Sequence, residues 1–141
     1  REEKIRLLNE AQPYAIKAVT LIPNYSNGNL MRAGIAAEQY KMHNDLDALL
    51  AEFKAVILQR PDVNFVTEYL DYLKGRANLN KMMAFYVDIG QSMLNSGRNL
   101  EWAVHYLKRG NELDPQNTQI RSLLFQLNTR LGYREEAAKY K

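Results

Sequence analysis

Apolar residues recur at steps of three and four along most of the chain, which is the spacing of helices that bury one face. The clearest stretch runs from Leu46 to Ile57 and stops before Pro61. Pro23 and Pro115 close two similar stretches, and an asparagine follows each of these three prolines closely. Because proline cannot continue a helix, this punctuation predicts an all-α chain built from repeated helical segments.

The stretch from Leu30 to Pro61 contains the best-defined unit. Small residues give its first helix one thin face, and Tyr40 follows them. Asn44 and Asp45 interrupt the pattern and are suited to capping a second, thicker helix. The small residues are Ala33, Gly34, Ala36 and Ala37, and the large ones of the second helix are Leu46, Leu49, Leu50, Phe53, Val56 and Ile57. We therefore expect the two helices to interlock.

Related units precede and follow this one. A second unit spans Met83 to Pro115 and has one extra residue in its turn, and a truncated unit begins near Thr118. At the front, Leu8 to Pro23 matches the second helix of an earlier unit. The apolar stripe of that helix continues through Pro13, where the loss of a backbone hydrogen bond predicts a kink.

The unit from Leu30 to Pro61 has a first helix with small residues on one face, then an aromatic residue, a polar turn, a second helix with large apolar residues, and a proline. This order resembles the tetratricopeptide repeat (TPR). The resemblance implies a right-handed α-solenoid of antiparallel helix pairs, about seven or eight helices in all, with one extra inserted helix. The matching residues are Ala37, Tyr40, Phe53 and Pro61 in the first unit, Gly90, Gly97, Ala103, Leu107, Gly110 and Pro115 in the second, and Gly132, Ala137 and Tyr140 in the last. The predicted parts of this single TPR-like domain, 1–141, are the end of an earlier repeat (1–23), a repeat (27–61), an inserted helix and loop (63–77), a repeat (80–115) and a truncated repeat (117–141).

The inserted segment departs from the family pattern. Pro61 and Pro115 are 54 residues apart, whereas one TPR period is about 34 residues. Large apolar residues at positions 65, 66, 69, 70 and 73 predict an additional helix that ends at Lys74 and Gly75. Two interpretations stay open: the helix covers one side of the stack, or it forms a wall of a binding groove or a self-association face over residues 63–75. Tyr69 and Tyr72 are the candidate contacts for the second interpretation.

Composition narrows the classes of partner. The 141 residues are 46% hydrophobic and 25% charged, as in globular domains. Nineteen basic and 16 acidic residues give a net charge of +3 and are spread along the chain, which argues against a nucleic-acid partner. No apolar stretch is long enough to predict membrane insertion. The chain begins at Arg1 and ends inside a helical pattern, so we expect it to be part of a longer protein.

Residue patterns that would support chemistry are weak. His43 and His105 are the only histidines, and neither has a second histidine nearby, whereas metal ligation needs several converging donors. The chain has no cysteine and no glycine-rich phosphate-binding motif. The sequence therefore predicts no catalytic residues, no metal site and no cofactor, and the protein is not expected to be an enzyme.

The TPR resemblance implies a partner surface on the first helix of each pair. Some family members clamp a carboxylate with lysine and asparagine, but Gly34 and Glu38 stand at those positions here, so no such clamp is expected. The groove instead suits an extended peptide or a partner helix. The groove residues implied are Met31, Ile35, Glu38, Lys41, Val87, Gln91, Asn95, Ser122, Gln126 and Arg130.

Two function classes follow from the resemblance. The first is a non-catalytic protein–protein interaction or scaffold module that binds a peptide or partner helix in a concave groove. The alternative is a structural tail or spacer of a larger membrane-bound enzyme, such as a glycosyltransferase, because the run from Leu7 to Tyr25 resembles the opening of such tails. That alternative would place a soluble domain on the extracytoplasmic side of a bacterial membrane. The compartment and the identity of the partner stay open.

Overall fold

The computed structural model describes residues 26–141, with side chains from Gly28 onward, and this part of the chain consists of helices and the turns between them. It contains seven helices and no strand, which confirms the predicted all-α class. The predicted opening helix and its kink at Pro13 lie outside the described residues. The helices are α1 (Ser26–His43), α2 (Leu46–Gln59), α3 (Asn64–Leu73), α4 (Leu79–Ser96), α5 (Leu100–Leu113), α6 (Thr118–Leu131) and α7 (Arg134–Ala138).

The chain divides into two compact units, with the boundary between Leu73 and Lys74. Within the described residues, the first unit contains α1 to α3 and the second contains α4 to α7. Each unit has its own buried apolar residues, as expected of a compact body with its own core.

In the first unit, α1 packs against both α2 and α3. The turn between α1 and α2 is only two residues long, so the chain reverses and the helices pack side by side. Asn44 takes a left-handed conformation in this turn (φ 55°), and the Asp45 carboxylate accepts the backbone N–H of Ala48 at 3.1 Å. The predicted cap at Asp45 is therefore confirmed. Arg32 and Glu52 join the two helices by a two-point ion pair.

The helix α3 confirms the additional helix predicted between the two prolines. Val66, Leu70 and Leu73 form its buried stripe, and Tyr72 lies on the exposed side. Gly75 follows in a left-handed conformation (φ 79°), where a residue without a Cβ is least strained. The chain therefore leaves α3 where the sequence predicts.

In the second unit, α5 lies between α4 and α6, which also pack against each other, and α7 packs on α6. Asn78 and Asn117 cap α4 and α6 by accepting backbone N–H groups at 3.0 Å. The cap at Asn78 lets α4 begin at Leu79, one residue before the predicted start of this repeat at residue 80. Gly97 ends α4 in a left-handed conformation (φ 71°).

The prolines stop their helices by the same backbone geometry. Arg60 before Pro61 has φ −140° and ψ 89°, and Asp114 before Pro115 has φ −147° and ψ 88°. A residue that precedes proline is driven out of the helical region by a clash with the proline ring. Both α2 and α5 therefore end one residue before this extended residue, as the punctuation predicts.

Close packing is confirmed at the positions where small residues predict it. Ala37 is 2% exposed and Phe53 is fully buried. Gly90 is also buried, and a Cβ built on it would come within 2.6 Å of a Leu107 methyl group. A Cβ on Gly110 would come within 2.5 Å of the Ile120 Cδ1 atom and 3.1 Å of the Tyr86 Cβ atom. The two glycines thus let neighbouring helices approach closely.

Candidate functional site

The two units resemble each other in the order of their first three helices and in the lengths of the first two. The first helices, α1 and α4, both have 18 residues, and the second helices, α2 and α5, both have 14. Residues 60–63 and 114–117 connect the second and third helices, so both connections have four residues. In each unit the third helix packs against the first: α3 against α1, and α6 against α4. The helix α3 therefore resembles α6 in packing on the first helix of its unit, but only α6 also packs extensively against the second helix.

A cleft of about 390 Å³ lies between the first and third helices of the second unit. We name it the amide cleft. Four of the predicted groove residues line it: Val87 and Gln91 from α4, and Ser122 and Gln126 from α6. None of its lining side chains carries a charge. The complete lining is Val87, Gln91, Thr118, Gln119, Ser122, Leu123 and Gln126.

Hydrogen bonds order the polar side chains along both walls of the amide cleft. The Gln91 amide donates to Asn95 Oδ1 at 2.9 Å along α4. The Gln126 amide donates to Ser122 Oγ at 3.1 Å along α6. These pairs are exposed and one helical turn apart, which is the spacing at which helix side chains meet. Each amide can make further hydrogen bonds, since it has two donors and an acceptor with two lone pairs.

Arg130 lies beyond the amide cleft and has a packing role. Its Nη1 atom donates to the backbone carbonyl of Leu94 at 3.1 Å. Leu94 belongs to the last turn of α4, where carbonyl groups lack partners within the helix and a cation is favoured. Arg130 therefore joins the C-terminal end of α4 to α6, and it is not among the residues that line the cleft.

The first unit has a corresponding cleft of about 360 Å³ between α1 and α3. We name it the aromatic cleft. Its lining residues are Lys41, Phe65, Glu68, Tyr69 and Tyr72. Tyr72 is 52% exposed, the largest exposed fraction among the large hydrophobic residues described. Three aromatic rings and two charged side chains thus replace the amides and hydroxyls of the second unit.

Tyr69 is at the centre of the rings in the aromatic cleft. Its ring centroid lies 5.4 Å from that of Tyr72 and 5.9 Å from that of Phe65. On its inner side it meets Phe53 of α2 edge to face, with centroids 5.7 Å apart. The Tyr69 hydroxyl is buried and has no hydrogen-bond partner within the described residues. This burial, with further contributions from Tyr72, Tyr40 and Glu38, raises the pKa of Tyr69 above its ordinary value.

The third helices line the two clefts through the same positions. The second, fifth, sixth and ninth residues of α3 and of α6 face the respective cleft. The pairs at these positions are Phe65 and Gln119, Glu68 and Ser122, Tyr69 and Leu123, and Tyr72 and Gln126. The third helices thus contribute corresponding positions to both clefts, whereas the first helices do not: Lys41 is the sixteenth residue of α1, and Val87 and Gln91 are the ninth and thirteenth of α4.

The predicted groove residues of α1 are spread over different environments. Lys41 lines the aromatic cleft, and Glu38, one turn earlier, lies 3.4 Å from its ammonium group. Met31 is 50% exposed at the other end of the helix. Ile35 is only 8% exposed. Of these four residues, only Lys41 is among the described residues that line the aromatic cleft or the amide cleft.

The residues that the sequence analysis missed are those on the cleft-facing side of the third helices. Phe65 and Glu68 in α3 were not singled out as groove residues, and neither were Thr118, Gln119 and Leu123 in α6. The 54-residue separation of Pro61 and Pro115 contained the signal. It places α3 and α6 at the same distance behind their prolines, so aligning the two prolines would have aligned the two clefts.

Sites for metal ions are absent from the part of the chain that the structure describes. No group of three or more histidine, aspartate or glutamate side chains is placed to hold an ion in residues 26–141. Across the same residues, none of the helices combines the length and apolar character needed to cross a membrane.

No protein-family model matches the chain, and no curated protein is similar to it at a significant level. The resemblance to the tetratricopeptide repeat therefore depends on the residues named above.

Proposed function

We propose that this chain is a non-catalytic interaction module of the TPR type, in which helix pairs stack as a right-handed solenoid. Its binding site for a partner protein is the amide cleft. The observation that supports this proposal is the convergence of Val87, Gln91, Ser122 and Gln126 on one cleft. These residues come from two helices, and the sequence predicts all four as groove residues.

The chemistry of the amide cleft favours a peptide backbone as its ligand. A carboxamide donates and accepts at once, so it can pair with the N–H and C=O groups of one peptide unit. Val87 and Leu123 add apolar surface between the polar side chains. Since no lining residue is charged, the cleft offers no counter-ion for a phosphate or a chain terminus. We therefore propose an extended, uncharged segment of a partner protein as the occupant.

The proposal is tested with a partner recovered by affinity capture on the 141-residue chain, identified and then purified. The double variant Gln91→Ala/Gln126→Ala removes one amide from each wall of the cleft and should weaken binding about tenfold or more. Added salt should change the affinity little, because screening acts on charges. Titration calorimetry measures both effects.

The control is a matched pair on the second helices, Lys54→Ala/Lys108→Ala. Lys54 belongs to α2 and Lys108 to α5, and neither lines the amide cleft. This pair should leave the affinity unchanged. If the control pair abolishes binding while the cleft pair does not, the partner binds elsewhere. If neither pair affects binding, the partner binds outside both surfaces; if no partner is captured, a spacer role within a larger protein becomes the better proposal.

A further inference from the structure

We propose that the aromatic cleft of the first unit is an interface with a second copy of this chain. This inference is independent of the function proposed for the amide cleft, because the two clefts share no residue. It is supported by the self-complementary character of the surface formed by Lys41, Phe65, Glu68, Tyr69 and Tyr72.

The surface carries both a protruding ring and a recess. Tyr72 is 52% exposed and stands beside the 360 Å³ cleft that it helps to line. In a two-fold interface each contact occurs twice, so one surface must supply both partners of every contact. Two copies related by a two-fold axis can each insert Tyr72 into the recess of the other. Aromatic side chains are the residues most often found at the energetic centre of interfaces.

The charges at this surface are also self-complementary. Lys41 on α1 and Glu68 on α3 line the same cleft and carry opposite charges. A two-fold axis through the cleft would place Lys41 of each copy near Glu68 of the other. The surface thus supplies both members of each contact that a two-fold interface requires, and a second copy is the occupant that matches it in charge and in shape.

The intramolecular contact of Lys41 does not prevent this pairing. The ammonium group lies 3.4 Å from Glu38 Oε1 in an exposed pair three residues apart on α1. Exposed ion pairs of this kind contribute little, and a lysine side chain reorients easily. Lys41 can therefore contact Glu68 of the second copy while it stays near Glu38.

The size of the surface sets the strength of the association. A stable dimer covers roughly 800 Å² on each partner, whereas five side chains form this surface. The dimer should therefore be weak and should form only at high protein concentration. When other parts of a longer protein already hold two chains near each other, a weak self-contact of this kind strengthens the overall association of the two chains.

The test is sedimentation equilibrium of the 141-residue chain over a wide range of concentrations. The parent should show a reversible monomer–dimer equilibrium, and Tyr72→Ala should raise the dissociation constant about tenfold. Each single reversal, Lys41→Glu or Glu68→Lys, places like charges opposite each other and should also weaken the dimer. The double reversal Lys41→Glu/Glu68→Lys restores opposite charges and should restore dimerisation.

The control is Tyr133→Ala, which removes a ring of similar exposure from the second unit. It should leave the equilibrium unchanged, and circular dichroism confirms that every variant remains helical. A parent that stays monomeric at all concentrations would overturn the proposal, as would a dimer that tolerates Tyr72→Ala. A double reversal that fails to recover dimerisation would rule out the two-fold pairing of Lys41 with Glu68.

Discussion

The aromatic cleft and the amide cleft each lie between the first and third helices of their own unit, and their side chains have nothing in common. One is lined by three rings and two charges, the other by amides, hydroxyls and aliphatic groups. The helices that form them agree in length, apart from a shorter α3, and the same positions of the third helix face both clefts. The backbone arrangement thus supplies a recess, and its exposed positions can change freely because the buried face holds the helix in place.

The buried residues of the two units behave differently. Where corresponding buried residues differ in size between the units, the differences compensate each other in volume. In the second unit, Tyr86 and Gly110 are neighbours at the junction with Ile120. The corresponding positions of the first unit hold Ala33 and Val56, both fully buried. A large residue on the first helix thus accompanies a glycine on the second, and a small one accompanies a valine. Buried positions must together fill a fixed volume, whereas cleft positions need not.

The largest expected effect comes from breaking this compensation with Gly110→Val. The new Cβ would lie 2.5 Å from Ile120 Cδ1 and 3.1 Å from the Tyr86 Cβ atom, which cannot move without its helix. We expect the free energy of unfolding to fall by about 3 kcal/mol, at the upper end for overpacked cores. Chemical denaturation followed by the fluorescence of Trp102, the single tryptophan, measures the second unit directly.

A double-mutant cycle sharpens this test. Gly110→Val combined with Tyr86→Ala reproduces the pair found in the first unit. The second change creates room for the valine, so the double variant should be more stable than the sum of the single effects by roughly 1–3 kcal/mol. If the two single effects on the free energy of unfolding simply add, the side chains at positions 86 and 110 do not share a volume. The correspondence between the units would then be wrong.

A smaller effect is expected for Ala37→Leu in the first unit. Ala37 is 2% exposed on the thin face of α1, where a longer side chain has no space. The variant should lose about 1–3 kcal/mol of stability. Ala48→Leu provides the comparison, because Ala48 is exposed on α2 and should tolerate the change within about 0.5 kcal/mol. Equal melting temperatures for parent and Ala37→Leu, measured by circular dichroism, would contradict the assigned repeat phase.

The features that the sequence predicts correctly are those set by neighbouring residues. The Asp45 cap, the end of α3 at Gly75 and the two proline stops depend on interactions within a few residues of each position. Such local chemistry is recognisable without knowledge of the packing. The apolar stripes of α2 and α3 are predicted for the same reason, because a period of three to four residues is a local property.

The cleft residues were harder to predict because they depend on which helices meet. The family period of about 34 residues marks α3 as an insertion, and the period alone does not reveal that α3 packs on α1. Ile35 shows the same difficulty. It is 8% exposed, and nothing near Ile35 in the sequence reveals which residues cover it.

The smallest expected effect distinguishes two tyrosines, Tyr69 of the first unit and Tyr133 of the second. The Tyr69 hydroxyl is buried without a hydrogen-bond partner in the described residues, whereas that of Tyr133 donates to Glu101 at 2.6 Å. Tyr69→Phe removes an unsatisfied polar group and should raise stability by about 1 kcal/mol. Tyr133→Phe removes an existing hydrogen bond and should bring no gain.

The pH dependence of stability provides the second measurement on Tyr69. Burial raises the folded-state pKa of this phenol, while in the unfolded chain its pKa is about 10. The folded state therefore holds the proton more tightly, and the stability linked to Tyr69 is complete below pH about 10 and is lost as the pH rises through the raised pKa. Tyr69→Phe should consequently show a shallower loss of stability above pH about 10 than the parent. Identical slopes, measured by denaturation at a series of alkaline pH values, would show that the Tyr69 hydroxyl reaches water and that the ring cluster of the first unit is more open than its geometry indicates.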